Sequence, residues 1–252
     1  MRVGIRSSLV RHMTDDKGSV RSYDRSESVV FLRTRDAYGA LSNMAGGFPV
    51  VVNDLTVPTI EALYQACRYP LAPDIQRQII TEPSPMSAKM RSKKFRSLTR
   101  PDWDKVRVPI MRWCLQVKLS QHWASFGELL ISTGPRPIVE ESRRDDFWGA
   151  KPVNEFLLAG TNALGRLLME LRADAIAMGR SQFDIVYPLG IVDFVLANTL
   201  IRPAYAADVW SAATARGTVT GSSAGTRTRG KKGRNRGSAI CLSDWLLPED
   251  DT

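Results

Sequence analysis

Four short stretches of this sequence carry residue types that can do chemistry. The first centres on Glu61, just after Pro58-Thr59 at the start of an amphipathic segment. A carboxylate there is either stabilised by a helix N-terminus or held ready for acid–base work. The second is Arg143-Arg144-Asp145-Asp146-Phe147-Trp148-Gly149. Acids beside a Trp and a Gly make either an active-site loop or a turn whose aromatics fill the core. The third is Tyr38-Gly39-Ala40-Leu41-Ser42-Asn43, where Ser and Asn either shape a turn or present polar groups. The fourth is Gly160-Thr161-Asn162-Ala163-Leu164-Gly165-Arg166 at a helix start. It holds either an ordinary cap or free backbone N–H groups that suit a phosphate.

Other chemistries are poorly supplied. His12 and His122 are the only histidines, which excludes a multi-histidine metal site. A histidine-dependent triad would have to use one of these two. Cys67, Cys114 and Cys241 lie far apart and form no C-x-x-C pair, against a disulfide framework or a cysteine zinc site. No G-x-G-x-x-G follows a strand, and no G-x-x-x-x-G-K-[ST] is present. No metal and no cofactor is expected.

The elements that must position these residues are partly readable. Ser28 to Leu32 is β-branched and strand-like. Residues 1–27 are polar and read as a flexible arm or one containing an edge strand. Phe48 to Val57 reads as a hairpin turning at Asn53-Asp54. Ile60, Leu63, Tyr64 and Cys67 repeat at helical spacing, with Glu61 and Gln65 off that face and Pro70 and Pro73 closing the segment.

Asp102 can cap a helix from Trp103 whose stripe is Val106, Ile110, Trp113, Cys114 and Val117. Ser125 and Glu128 read as a capping box for a helix ending at Gly134. Pro135 to Val139 is extended. Thr161 can cap a helix with Leu164, Leu167, Leu168, Leu171 and Ala175 on one side. Val186 to Tyr205 is apolar and fits helix or strand equally. Strands come early and helices later without regular alternation, which predicts an α+β fold, mostly helical with a few short strands.

Length and charge bound the rest. With 252 residues, 43% of them hydrophobic and 24% charged, the chain can bury one sizeable core. The net charge of +9 is concentrated in residues 216–237, which hold seven Lys or Arg and no acid. Without those seven, 28 basic residues face 26 acidic ones. This Gly/Ser-rich stretch is either a solvated tether or a non-specific contact to nucleic-acid phosphates. Ile240 to Leu247, with Trp245, reads as a short docking segment within a C-terminal piece at 238–252. Met-Arg-Val-Gly-Ile-Arg lacks an apolar core, and the apolar window from Ile185 to Ile201 is interrupted by Asp193 and too short to span a bilayer. A cytoplasmic protein with reduced thiols and no membrane partner is expected.

Taken together the stretches are far more specific. Tyr38-Gly39-x-x-Ser42-Asn43, Pro58 to Ala66, Ser84-Pro85-Met86 and Trp103-Asp104 come in that order. They are followed by Met111 to Lys118, Leu129-Leu130-x-x-Thr133-Gly134 and Val139-Glu140. Asp145-x-Phe147-Trp148-Gly149 and the run from Gly160 to Arg172 complete the set. In these motifs the sequence resembles the NADAR (YbiA-like, DUF1768) family over about residues 31–172. The resemblance implies a mostly helical α+β domain, placed here at 28–215, with N-glycosidase activity on ribosylated amines.

One branch of that family is described as hydrolysing phosphorylated riboflavin-biosynthesis intermediates. Another looks like the partner of DNA ADP-ribosyltransferase toxins, removing ADP-ribose from guanine. By motif position Glu61 and Asp145 are the implied catalytic residues. Asn43, Lys93, Trp103, Lys118, Trp148, Gly149 and Asn162 are the implied substrate-binding ones. Many members carry His after the helix glutamate, where this chain has Ala62, and the Phe after the family lysine is Leu119. Glu-Ala-Leu-Tyr-Gln looks closer to the guanine branch. The expected substrate is therefore ADP-ribosyl-guanine in DNA, with the protein as antitoxin to a DNA ADP-ribosyltransferase. The alternatives are a riboflavin-type N-glycosidase and a non-catalytic ADP-ribose or nucleic-acid binding module.

Overall fold

The computed structural model describes residues 19–206. The basic stretch 216–237 and the segment 238–252 lie outside the described residues, as do residues 1–18. The chain forms β1 (Arg21–Asp24), β2 (Val29–Phe31), β3 (Val50–Val52) and β4 (Leu55–Val57). Then come α1 (Ile60–Ala66), α2 (Pro73–Ile80), α3 (Pro85–Lys93), α4 (Trp103–Gln121) and α5 (Glu128–Ser132). β5 (Ile138–Glu140), β6 (Lys151–Pro152), β7 (Leu157–Gly160) and α6 (Ala163–Met178) follow. The fold is α+β, as the element pattern predicts.

The strands pair in small groups. β1, β7 and β6 make one antiparallel sheet in that order, and β2 runs parallel to β5. β1 places an edge strand within the polar arm, so the ordered domain starts before residue 28. Its alternating side chains send Tyr23 inward and leave the others in solvent, which explains the polar reading. β3 and β4 form the expected hairpin. Asn53 and Asp54 take φ of 53° and 62°, a left-handed turn these residues tolerate.

α1 is the structural centre. Thr59 Oγ1 accepts the Ala62 N–H at 3.2 Å and caps it. All seven of its residues are buried, because α2, α3, α4 and β4 pack around it. Glu61 and Gln65 are therefore not on an open face, as their spacing predicts, but enclosed at 5% and 3% exposure. Pro73 opens α2 rather than closing α1, since its fixed φ suits a first helical position. Ser84 and Ser87 cap α3 reciprocally ahead of Pro85.

Three predicted caps are made differently. The Asp102 carboxylate precedes α4 but pairs with Arg100, at 2.6 and 3.0 Å. Ser125 and Glu128 form no capping box, because the chain makes a wide turn over Trp123–Gly127 that runs straight into α5. Gly134 still closes that region with φ of 62°. At α6 the cap position is Asn162 rather than Thr161.

The segment after α6 opens with a short 3-10 turn at Arg180–Phe183 and is not a separate lobe. It makes the two-residue strands β8 (Ile185–Val186), β9 (Val195–Leu196), β10 (Thr199–Leu200) and β11 (Ala204–Tyr205). Phe183, Val186, Phe194, Leu196 and Ile201 join the main core, with the Phe194 ring edge-on to Trp113 at 4.9 Å. Gln76 stitches it down by donating to Val195 O and accepting from Ala197 N. Among the described residues, no helix is long and apolar enough to cross a membrane.

Gly165 sets how closely α6 approaches β5. A Cβ there would press into Ile138 O and the Asn162 side chain. Gly165→Ala is expected to lower stability by about 2 kcal/mol, read as a lower urea midpoint.

Candidate active site

The motif residues from four separate stretches meet in one cleft. The space in it, open solvent at its mouth included, is ≈ 480 Å³. Its walls include Asn43 and Met44 from the first loop, Glu61, Tyr64 and Gln65 from α1, and Lys89 from α3. Met111 of α4, Glu140 of β5, Asp145 and Trp148 of the following loop and Leu164 of α6 complete it. Three carboxyl groups thus share one cleft with a lysine and an aromatic wall. Among the described residues, no group of three or more His, Cys, Asp or Glu is placed to hold a metal ion.

Each carboxyl group is held in its own way. Glu61 Oε1 accepts from Gln65 Nε2 at 2.9 Å, one turn on. Gln65 Oε1 in turn accepts from Ser92 Oγ at 2.6 Å. Ser92 sits under Tyr69, whose hydroxyl donates to Ser92 O at 2.6 Å. This chain fixes which end of the Gln65 amide faces Glu61, so Gln65 and Ser92 are positioning residues. Asp145 Oδ1 accepts the Phe147 and Trp148 amides at 3.0 and 2.8 Å. The carboxylate therefore shapes the turn that carries Trp148 as well as facing the cleft.

Glu140 is the carboxyl group the motif reading passed over. It stood in a matched motif, but a Val-Glu pair gives no local sign of function. Its carboxyl pKa is pushed up to about 8, first by burial and then by Asp145, with Glu61 adding to the effect. Lys89 and the Ser42 hydroxyl pull the other way. Strand alternation sends its neighbour Glu141 elsewhere, into a two-point pair with Arg25 at 2.7 and 3.0 Å.

The aromatic wall is Trp148, 9% exposed, with the Tyr64 ring edge-on to it at 5.8 Å. Trp103 lies behind Tyr64, at 5.1 Å, beneath the Arg68 guanidinium, and does not line the cleft. Asn43 does line it. Its Nδ2 donates to Met111 Sδ, and its buried Oδ1 has no partner among the described residues.

The remaining expected binding residues do not line the cleft. Lys93 is half-buried one turn beyond Lys89, which is the lysine of the cleft wall. Lys118 is fully buried and donates to Ala40 O and Ser42 O at 2.7 and 3.2 Å. The Phe48 and Phe126 rings each lie 4.3 Å from its Nζ. It anchors the loop that carries Asn43, and burial lowers its pKa to about 7.

Asn162, with φ of 50°, accepts the Glu140 amide at 3.2 Å and donates to Ile138 O at 2.8 Å. Gly149 lets the loop pass Glu140 O, where a Cβ would lie 2.5 Å away. The start of α6 offers no phosphate site of the expected kind. The Ala163 and Leu164 amides are taken by Phe147 O and Trp148 O at 2.8 and 3.0 Å. Ala62, where the family resemblance implies a His in many members, is fully buried and outside the cleft wall.

Ser92→Ala is expected to lower kcat several-fold at unchanged KM, because the Gln65 amide loses its fixed orientation, while Ser92→Thr restores it. Equal kcat for Ser92→Ala and the unaltered protein would contradict this role. Lys118→Met is expected to cost about 3 kcal/mol in chemical denaturation, since the Ala40 and Ser42 carbonyls lose their donor.

The chain is similar to known proteins over much of its length. Residues 30–175 match the model of the NADAR domain. The chain is 32% identical over 168 residues to the N-glycosidase YbiA of Escherichia coli K12, covering 67% of this chain and 94% of that protein. It is 33% identical over 159 residues to the riboflavin biosynthesis protein PYRR of Zea mays, covering 58% of this chain and 25% of that one. Among solved structures it resembles the NMR structure of E. coli YbiA, with a TM-score of 0.53 and 34% identity over 60% of this chain and 86% of that one.

Proposed function

The chain belongs to the NADAR family, and we propose that this N-glycosidase removes ADP-ribose from guanine bases in DNA, as antitoxin to a DNA ADP-ribosyltransferase. The observation that carries the reading is the convergence of Glu61, Glu140 and Asp145 on one aromatic-walled cleft. Cleaving a C1′–N bond builds positive charge on the sugar. Glu61 and Asp145 are our candidates to stabilise that charge and to take a proton from the attacking water.

The other walls suit the rest of such a substrate. Trp148 offers a face or edge to a base, and the unpartnered Asn43 Oδ1 suits a ribose hydroxyl or a base N–H. Lys89 is placed for a phosphate oxygen. Arg143 and Arg144 are exposed just before Asp145, and the basic stretch 216–237 supplies further charge for a DNA backbone. A modified base unstacked from the duplex would reach the cleft. In this reading the protein works in the cytoplasm, where such DNA is found.

A second reading is favoured by the names of the relatives. Two are riboflavin biosynthesis proteins, and the buried position of Ala62 weakens the case that a missing His separates this chain from them. The substrate would then be a phosphorylated riboflavin-pathway intermediate.

The deciding assay uses an ADP-ribosyl-guanine oligonucleotide and a ribosylaminopyrimidine phosphate side by side. Unaltered protein is expected to free ADP-ribose from the first, and Glu61→Gln to be at least about 100-fold slower. Turnover of the second substrate alone would transfer the assignment to the riboflavin-type reaction.

A further inference from the structure

We propose that Glu140 is the general acid of this site, delivering a proton to the leaving nitrogen as the C1′–N bond breaks. The inference rests on the N-glycosidase reading and not on which ribosyl substrate is bound.

The backbone of Glu140 is fixed on every side. β5 pairs with β2, and Glu140 lies opposite Phe31 in that ladder. Its N–H donates to Asn162 Oδ1 at 3.2 Å, and its carbonyl accepts from Ala150 N at 2.8 Å. Gly149 packs against the same carbonyl. A side chain on such a support has little freedom to turn away from the cleft it lines.

The surroundings then decide its protonation. Asp145 faces it from the loop, Glu61 from α1, Lys89 from α3, and the Ser42 hydroxyl from the first loop. Two carboxylates outweigh one lysine, and burial adds to them. Glu140 is therefore pushed toward its protonated form beside Asp145 and Glu61, whose oxygens are held by hydrogen bonds of their own. Asp145 Oδ1 is committed to two amides, and Glu61 Oε1 accepts from Gln65. Acid and base are thereby assigned to carboxyl groups in different environments.

The step balances as follows. The C1′–N bonding pair moves to nitrogen, which takes the proton from the Glu140 carboxyl. Water forms the new C1′–O bond and gives its proton to a cleft carboxylate. That proton returns to Glu140 through solvent, so the net reaction consumes one water.

Rates are measured from pH 5 to 10 for the unaltered protein, Glu140→Gln and Glu140→Asp on both substrates named above. An acid must be protonated, so activity of the unaltered protein is expected to fall as pH rises through about 8. Glu140→Gln is expected to lose about 100-fold or more in kcat with little change in KM, and to lose that alkaline fall. Glu140→Asp should retain part of the rate and the fall. A Glu140→Gln rate within threefold of the unaltered protein, with the alkaline fall intact, would overturn the proposal.

If the unaltered protein turns over neither substrate, the N-glycosidase substrate reading fails first. A 13C NMR titration of the glutamate carboxyls, assigned by Glu140→Gln, then tests the acid directly. A Glu140 midpoint near 8 upholds the poised acid, and one below 5 overturns it.

Discussion

Three carboxyl groups in one half-closed cleft repel each other and lose water, and the rest of the architecture is arranged around that cost. An isolated buried carboxylate is expensive, so such groups are hydrogen-bonded, paired or neutralised by a proton. This fold uses all three routes. Glu61 is hydrogen-bonded by Gln65, and Asp145 takes two backbone amides. Glu140 takes a proton. Glu141, next in the strand, is paired with Arg25 on the other face of the sheet.

Holding these groups together demands a stiff frame, and much of the motif set is that frame. The loop carrying Asp145 and Trp148 caps α6 with its own carbonyls, so helix and loop are positioned by the same bonds. Asn162 ties the start of α6 to β5 on either side of Val139. Lys118 does the equivalent work for the loop carrying Asn43, and Arg172 bridges Thr133 and Arg136 at 2.8 Å each. Several polar motif residues are thus buried structural donors, which is a chemical reason for their type that involves no ligand.

The same frame bears on substrate choice. The helix that carries Glu61 turns its next residue, Ala62, into the core. A change at that position reaches the cleft only through packing. The cleft itself is lined by Asn43, Lys89 and Trp148, with the exposed Arg143 and Arg144 just ahead of Asp145.

Read alone, the sequence determined what short-range physics controls. The Asn53-Asp54 turn, the helix opening after Pro58-Thr59 and the start and stripe of α4 follow from turn chemistry and helical spacing. The α+β class follows from element order, and Glu61, Asp145, Trp148 and Asn43 emerge from the ordered motifs. Tertiary structure alone decided which polar residues face the cleft. Lys89 and Lys93 are one turn apart on one helix, and no local rule prefers either. Glu140 looks like any strand glutamate until Asp145 and Glu61, remote in sequence, are brought beside it. The reason is that burial and like-charge repulsion depend on distance in space. Local propensity acts over a few residues of chain, whereas the protonation of a carboxyl group is set by whatever the fold places next to it.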